Sequence, residues 1–300
     1  MATIEDAVQK HRRAGEIARE VREELRKIVR EGMPILDLCE IAEALIRKKG
    51  GTPAFPCNVS VDEVAAHYTS PPEDDRRVPE GAIVKVDIGV HLEGYIADTA
   101  TTICFNPEYR ELVDTANEAL RKAIEILRPG LSILRFGSII QKTIKVRGFK
   151  PISNLTGHSI GRYMIHAGKS LPNVVNLSAS RIKAGEIYGV EPFVTVPDAA
   201  GRVKPGKETH IFRLSKSKSL KDPYAKNLVG YIRETYRTLP FAERWLQGRV
   251  PSSHYQSAFS ALLSSKILFA YPVFIEESEK PVAQAEHTVL VVKDGCEVLT

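Results

Sequence analysis

The sequence lacks the cysteine pattern of a disulfide-stabilised protein or a zinc knuckle. Four cysteines are scattered over 300 residues, without a Cys-x-x-Cys pair, at Cys39, Cys57, Cys104 and Cys296. The chain also lacks an apolar run long enough to span a membrane, and its N-terminus lacks a signal-peptide pattern. Scattered cysteines are typical of free thiols in a reducing compartment. We therefore expect a soluble cytoplasmic protein that makes no membrane contact.

A strong excess of charge of one sign is also lacking. The net charge of +5 is too small to indicate a nucleic-acid-binding protein by itself. The hydrophobic content of 43% and the charged content of 26% are those of an ordinary globular protein. A chain of this length can bury a large core as one domain or as a domain with an insertion.

Two acids in apolar sequence are the most informative feature that is present. Asp87 and Asp98 each lie in a run of β-branched and aromatic residues, and His91-Leu-Glu-Gly94 separates the two runs, which predicts a hairpin. A turn centred between residues 92 and 93 would place the two acids directly opposite each other, with Cβ atoms ~5 Å apart. Buried carboxylates at that distance repel unless they share a proton or a cation lies between them. We predict a metal site.

The chain also contains a diverged internal repeat. At an offset of 98, residues 29–50 can be aligned with residues 127–148, and each copy has the pattern of a helix end, a glycine break and a second helix that glycine closes. The long helices before these segments are predicted at roughly 3–30 and 108–127. The repeat predicts two similar α/β halves about a pseudo-twofold axis.

The same repeat pairs chemically similar side chains. His67 and His166 are 99 residues apart, and an offset of 104 aligns Asp87 with Glu191. The second-half counterpart of Asp98 is then Glu286, which lies in another strand-like run. Each half would thus supply two acids from a central sheet.

The second half carries an insertion. Its two acids are 95 residues apart, against 11 in the first half, so 84 residues are additional. Most of them fall at about 199–268, which we predict to be a helical subdomain, with residues 1–198 and 269–300 forming the main domain. The predicted helices of the insertion cover residues 222–236, 240–248 and 254–267.

Histidines supply the remaining candidate ligands. Two carboxylates from each half suit one or two divalent cations, and transition metals usually bind an imidazole as well. His158 lies in Thr156-Gly-His-Ser-Ile-Gly161, where glycine permits close backbone approach. His67 and His166 also lie beside small residues, although any one histidine taken alone is more often structural.

Five of these residues resemble the metal-ligand set of the methionine aminopeptidases, the pita-bread metallopeptidases. The set is Asp87, Asp98, His158, Glu191 and Glu286. The matching stretches are Val86-Asp-Ile-Gly89, Gly94-Tyr-Ile-Ala-Asp98-Thr-Ala, Gly157-His158, Ile165-His166-Ala-Gly-Lys169, Glu191-Pro-Phe193 and Glu286-His-Thr. The resemblance covers essentially the whole chain. It implies an α/β pita-bread fold, in which two pseudo-twofold halves surround a curved antiparallel sheet, with a winged-helix-like insertion.

Further features resemble the type II branch in its short, archaeal-like form. They are Phe55-Pro, Ala66-His67-Tyr-Thr and the insertion before Tyr271-Pro. One departure is Asp62, since the family commonly has Asn there. We expect this extra carboxylate to lie near His67 and to affect its proton balance.

The resemblance implies two divalent ions per chain, of Co, Mn, Fe or Zn, with the identity left open. Asp98 and Glu286 would bridge the two ions, Asp87 would complete one, and His158 with Glu191 the other. A shared water, deprotonated near neutral pH, would attack the first peptide carbonyl, and Glu191 would pass the proton to the leaving amine.

The resemblance also implies the remaining site residues and the substrate. His67 and His166 would hydrogen-bond the scissile amide and the developing oxyanion. Phe55, Ile165 and Tyr271 would wall the methionine pocket, although each is equally plausible as core. The expected activity is co-translational removal of the N-terminal methionine before a small second residue, by a monomer.

The sequence leaves two alternatives to a methionine aminopeptidase. An aminopeptidase P or prolidase has similar ligands but normally carries a large N-terminal domain, for which about 30 residues before the first repeat leave no room. A non-catalytic binding protein on the same scaffold has typically lost metal ligands, whereas all five are kept here.

The insertion is the basic part of the chain. Residues 199–268 contain 13 Lys or Arg and 4 Asp or Glu, a net charge of +9, which leaves −4 for the rest. Such a patch is often only a solvated helical face. The alternative is that it docks on ribosomal RNA near the nascent-chain exit.

Overall fold

The computed structural model describes residues 3–300. The helices span α1 (Ile4–Ile28), α2 (Ile35–Lys48), α3 (Arg110–Ile126), α4 (Ile133–Val146), α5 (Pro223–Thr235) and α6 (Ser252–Ser264), with 3-10 turns at Pro107–Tyr109 and Glu243–Leu246. The strands span β1 (Thr52–Val61), β2 (Val64–Ala66), β3 (Ile83–Leu92), β4 (Tyr95–Cys104), β5 (Lys150–Pro151), β6 (Thr156–Ser159), β7 (Ser170–Pro172), β8 (Ile187–Val190), β9 (Phe193–Thr195), β10 (Val203–Leu214), β11 (Phe241–Ala242), β12 (Leu268–Glu276), β13 (Val282–Gln284), β14 (Glu286–Val292) and β15 (Gly295–Val298). None of the helices in this part of the chain is both long and apolar enough to cross a membrane.

The helices follow the predicted repeat. Both bounds of α4 lie 98 residues after those of α2, and α1 and α3 occupy the ranges predicted for the long helices. Gly50 and Gly148 follow α2 and α4 with φ of +86° and +83°, a left-handed conformation that ends a helix and strains any residue with a Cβ. The two helical pairs are therefore built by the same local signals.

The main sheet has the two-halved organisation that the repeat predicts. Its strand order is β1-β3-β4-β14-β8-β6-β7, with β15 paired to β14, so the halves meet where β4 contacts β14. α1 and α2 cover the first half and form one apolar core with β1 and β3. α3 and α4 form a second core with β8 and β14. The acids Asp87, Asp98 and Glu286 lie on the central strands β3, β4 and β14.

The β3–β4 hairpin differs in register from the prediction that Asp87 and Asp98 are directly opposite. Asp87 pairs with Ala100, and Asp98 pairs with Gly89. The turn consists of only Glu93 and Gly94, at φ +51° and +89°, and this tight turn shifts the pairing by two residues. Because side chains alternate with a period of two, the even shift leaves both acids on one face, as diagonal neighbours.

The segment 199–268 agrees with the prediction in part. α5 and α6 match two of the predicted helices, but the helix predicted at 240–248 is wrong. Those residues form β11 and a 3-10 turn, because Phe241 and Ala242 pair with β10 and Gly248 turns at φ +73°. A compact apolar cluster centred on α5 and α6 packs against Phe212 and Phe241.

The prediction of a wholly helical insertion is also wrong for residues 203–214. These residues form β10, which pairs with β12 in a four-stranded sheet ordered β11-β10-β12-β2. Pro205 and Gly206 hid the strand signal, since both are unfavourable in regular strands. The register shifts between Pro205 and Ile211 are the bulges that accommodate them.

Candidate metal centre and peptide cavity

All the site residues that were predicted from the sequence line a single cavity. The lining comprises Phe55, Asn58, His67, Asp87, Asp98, His158, Ile165, His166, Glu191, Ile211, Pro240, Tyr271 and Glu286. Ten of these thirteen residues were predicted. They come from both halves of the main sheet and from the 199–268 segment, so the cavity exists only in the assembled fold.

The acids and His158 form the polar floor of the cavity. Nε2 of His158 lies 3.4 Å from Oδ2 of Asp98 and 3.5 Å from Oε1 of Glu191. Potential ligand atoms of Asp98, His158 and Glu286 all lie within 4.8 Å of one another. Asp98 and Glu286 are 3% and 1% exposed, which makes them the deepest of the acids.

Threonine side chains fix the two deep acids where the halves of the sheet meet. β4 and β14 pair directly at only two positions among the described residues, Ala100 with Glu286 and Thr99 with His287. The Thr288 hydroxyl accepts from the Asp98 backbone N–H at 2.7 Å and donates to the Asp98 carbonyl at 2.8 Å. The Thr99 hydroxyl donates to the Glu286 carbonyl at 2.8 Å. These bonds hold the backbone of both acids.

Two glycines make room for the site. A Cβ on Gly189 would lie 2.8 Å from Oε1 of Glu286 and 3.2 Å from the His158 ring. A Cβ on Gly89 would lie 2.2 Å from the Phe55 ring. Glycine is required at both positions because a Cβ would clash with neighbouring side chains, and not because the backbone has a positive φ. No turn pattern in the sequence could therefore reveal this requirement.

Burial dominates the electrostatics of the acids. It raises the pKa of Asp98 to about 7 and raises the pKa values of Asp87, Glu191 and Glu286 well above their ordinary range. Repulsion from Asp98 adds to the rise at the other three acids. Burial likewise lowers the pKa of His158 to about 4. The four carboxylates therefore need an outside positive charge to be ionised together.

The donor set fits a divalent cation. Oδ1 of Asp87, Oδ1 of Asp98 and Oε1 of Glu286 are buried without a hydrogen-bond partner among residues 3–300. In the same part of the chain, no Lys or Arg lies within ion-pair distance of these acids. Buried polar atoms are normally satisfied, and carboxylate oxygens with one imidazole are the ligands that divalent transition metals accept.

His67 and His166 lie beside this floor. His67 has a left-handed φ of +67°, and its Nδ1 lies 3.3 Å from the Pro272 carbonyl, which can only accept, so Nδ1 donates. The His166 ring is 4.5 Å from the His158 ring and opens to solvent on one side. Burial lowers the pKa of His67 to about 4 and that of His166 to about 3, and neighbouring histidines add to both shifts. Both rings are neutral at pH 7.

Asp62 lies in the turn between β1 and β2. Its φ is +45°, a left-handed conformation that Asp and Asn adopt more easily than most residues. Oδ1 of Asp62 accepts the Ile83 backbone N–H at 2.9 Å, and no hydrogen bond joins Asp62 to His67 within residues 3–300. No hydrogen bond in this part of the chain therefore supports the expected effect of the Asp62 carboxylate on the proton balance of His67.

Sequence reasoning missed four polar or apolar neighbours of the site. Asn58 pairs with Asp87 in the β1–β3 ladder, and only that tertiary pairing brings it to the cavity. Nε2 of Gln284 lies 3.5 Å from Oε2 of Glu191 and 3.4 Å from Oε2 of Glu286. Its place two residues before Glu286 was a usable signal, since alternate strand residues share a face. Ile211 and Pro240 come from the 199–268 segment.

Known proteins resemble this chain over nearly its full length. The profile of metallopeptidase family M24 matches residues 9–293. The methionine aminopeptidase of Methanothermobacter thermautotrophicus is 41% identical over 296 residues, which is 98% of each chain.

Solved structures share the fold at much lower identity. A thermophilic Arx1 superposes with a TM-score of 0.82 at 19% identity, covering 98% of this chain and 90% of that one. The methionine aminopeptidase of Thermotoga maritima superposes with a TM-score of 0.70 at 22% identity, covering 98% and 96%. The predicted pita-bread fold is confirmed.

Proposed function

This chain belongs to metallopeptidase family M24, and we propose that its cavity removes the N-terminal methionine from peptides and nascent proteins whose second residue is small. Family membership, together with 41% identity to a methionine aminopeptidase over 98% of each chain, makes the chain a metal-dependent aminopeptidase. The observation that supports the proposed site is the convergence of Asp87, Asp98, His158, Glu191 and Glu286 beside His67 and His166 on one cavity. We further propose that it acts as a cytoplasmic monomer, a setting compatible with its four free cysteines.

We propose that the floor holds two divalent ions. Asp87, Asp98, His158, Glu191 and Glu286 would hold them, and Asp98 and Glu286 are the deepest of these acids. Bound there, the ions would polarise the first peptide carbonyl and lower the pKa of an attacking water. Gln284 orients the free oxygens of Glu191 and Glu286 through its amide N–H groups.

The surrounding side chains would position the peptide and move the proton. Because Nδ1 of His67 donates to Pro272, its Nε2 is an acceptor and suits the N–H of the scissile amide. The neutral His166 ring would donate to the carbonyl oxygen as negative charge develops there. Glu191, whose burial raises its pKa, is suited to take a proton from water and return it to the leaving amine.

The apolar walls would select the first side chain. Phe55, Ile165 and Tyr271 are each less than 10% exposed and line the cavity above the acids. Ile211 and Pro240 complete this wall from the 199–268 segment. An unbranched, flexible thioether fills an irregular apolar slot well, which favours methionine over β-branched residues.

The function can be tested by measuring methionine release after the enzyme has been depleted of metal with a chelator. We expect no release of methionine from Met-Ala-Ser until one of Co, Mn, Fe or Zn is added, and activity that saturates near two equivalents of metal. The peptide Met-Leu-Ser should be a far poorer substrate, since its second side chain is large. Activity in the presence of chelator would contradict the metal proposal, and the absence of release with every metal would contradict the function.

For the 199–268 segment we propose a role as a basic subdomain that contacts ribosomal RNA. The loop between β10 and α5 presents exposed lysines, and the backbone of Ser215 and Lys216 bonds to Ile267, which brings Lys266 beside that loop. The lysines of this cluster are Lys216, Lys218, Lys221 and Lys266. Clustered cations bind phosphate backbones in a salt-dependent way.

Replacing the four lysines of this cluster by Gln should weaken co-sedimentation with ribosomes by about 10-fold or more at moderate salt. The matched control replaces four exposed lysines of the main domain, Lys48, Lys142, Lys145 and Lys183, and should co-sediment like the unmodified protein. Equal loss in both variants would indicate a general charge effect, and no loss in either would refute the contact. Peptide cleavage reports separately on folding.

A further inference from the structure

A second cavity opens directly from the proposed peptide site. Its volume is about 380 Å³, and its lining comprises Met164, Ile165, His166, Arg213, Thr238, Phe269 and Tyr271. Ile165, His166 and Tyr271 line both cavities, so the two are continuous. Met164 and Phe269 are 49% and 44% exposed, an unusual fraction for large apolar side chains beside a site.

Arg213 is the cation of this outer cavity. Its guanidinium lies 4.9 Å from the centre of the Phe269 ring, and its positive charge opposes the rise that burial causes in the pKa of Tyr271. Its hydrogen bond within residues 3–300 is a long one, 3.5 Å from Nη1 to the Leu214 carbonyl. No carboxylate among residues 3–300 lies within ion-pair distance of Arg213, although this residue is partly buried. Arginine held on an aromatic face, with donors unused, is suited to bind a planar anion.

A peptide that extends from the inner cavity into the outer one would approach this guanidinium. If His166 contacts the carbonyl of the first residue, such a chain would pass Tyr271, whose ring centre lies 6.3 Å from that of His166. An extended chain advances roughly 3.3 Å per residue, so about two residues cover this distance. The third residue of the substrate would then lie over Tyr271, with its side chain beside Arg213.

We propose that Arg213 forms a subsite for a carboxylate at the third residue of the substrate. This inference rests on the proposed function, because it presumes that peptides bind with the first residue in the inner cavity. The shared chemistry is a carboxylate, which can come from an Asp or Glu side chain or from the free C-terminus of a tripeptide. Longer substrates with an acidic third residue would be processed faster than their neutral counterparts.

Paired peptides test the subsite. We expect kcat/KM for Met-Ala-Asp-Gly-Ser-amide to exceed that for Met-Ala-Asn-Gly-Ser-amide by about 3- to 10-fold at low salt, because the guanidinium is partly buried and water would screen the pair only in part. Arg213→Met should bring this ratio to about 1, Arg213→Lys should keep part of it, and Arg213→Glu should invert it. Lys207→Met removes the same charge from an exposed position on the same strand and should keep the ratio of the unmodified enzyme.

A second arm separates the sources of the carboxylate. Met-Ala-Ser as the free acid, compared with its amide, reports on the C-terminal carboxylate, and Arg213→Met should abolish that difference as well if both sources use the subsite. A ratio near 1 in the unmodified enzyme, or a preference that persists in Arg213→Met, would overturn the inference. Failure to release methionine from any of these peptides, neutral ones included, would instead count against the proposed function.

Discussion

Asp98→Asn should lower kcat/KM for methionine release by more than about 100-fold with every metal. Changes to residues that merely orient a ligand already cost about 10- to 100-fold, and Asp98 is proposed to be a ligand itself. Its carboxylate is 3% exposed and lies 3.4 Å from His158, so neither water nor a neighbouring acid can replace it. The measurement is steady-state methionine release across the metals, with metal content determined on the same samples.

The same substitution should have the opposite effect on the stability of chelated protein. Without a cation, the Asp98 carboxylate repels Asp87, Glu191 and Glu286, so its neutralisation should raise Tm by about 2–4 °C. Asp294→Asn, in the exposed β14–β15 turn, is the matched control and should leave both activity and Tm unchanged. An unchanged activity in Asp98→Asn, or a lower Tm in chelator, would contradict the metal assignment.

His166→Ala should reduce kcat by about 10²- to 10³-fold while leaving the metal content unchanged. Removal of one donor to a developing oxyanion has a cost of that size, because the donor acts mainly in the transition state. His166 is neutral at pH 7, so it stabilises this charge as a hydrogen-bond donor rather than as a cation. KM should change much less than kcat.

His166→Asn separates this role from packing. The ring lies 4.5 Å from His158, so Ala could disturb the floor of the site, whereas Asn keeps a donor and should retain more activity than Ala. His254→Ala, an exposed histidine on α6, is the control for loss of a surface imidazole. Loss of metal from His166→Ala, with an unaltered kcat when metal is in excess, would make His166 a structural neighbour of the ligands instead.

The sequence alone determined the local elements and the identity of the site residues. The apolar periodicity of the helices and the glycines that end them, such as Gly50 and Gly148, are local signals. The repeat and its helices could therefore be predicted from the sequence. Acids such as Asp87 and Asp98 stood out because a carboxylate in strand-like apolar sequence needs a partner. The ordered motifs around them indicated the family.

Register and neighbourhood were decided by the tertiary structure. The two-residue turn at Glu93 and Gly94 competed with a longer loop of similar composition, and only the packed sheet selects between them. β10 could not be predicted from the sequence, because the bulges near Pro205 are tolerated only when β12 pairs with this strand. Gly189 and Asn58 acquire their roles from strands distant in the chain, which a single sequence does not align.

The sequence thus determined which side chains have the chemistry, because charge, imidazole and apolar periodicity are properties of residues and their near neighbours. The tertiary structure decided how these side chains are used. Burial, the distance between Asp98 and His158, and the position of the Arg213 guanidinium over Phe269 in the outer cavity all arise from contacts between segments far apart in the chain. Such contacts depend on packing in three dimensions, which local patterns do not encode.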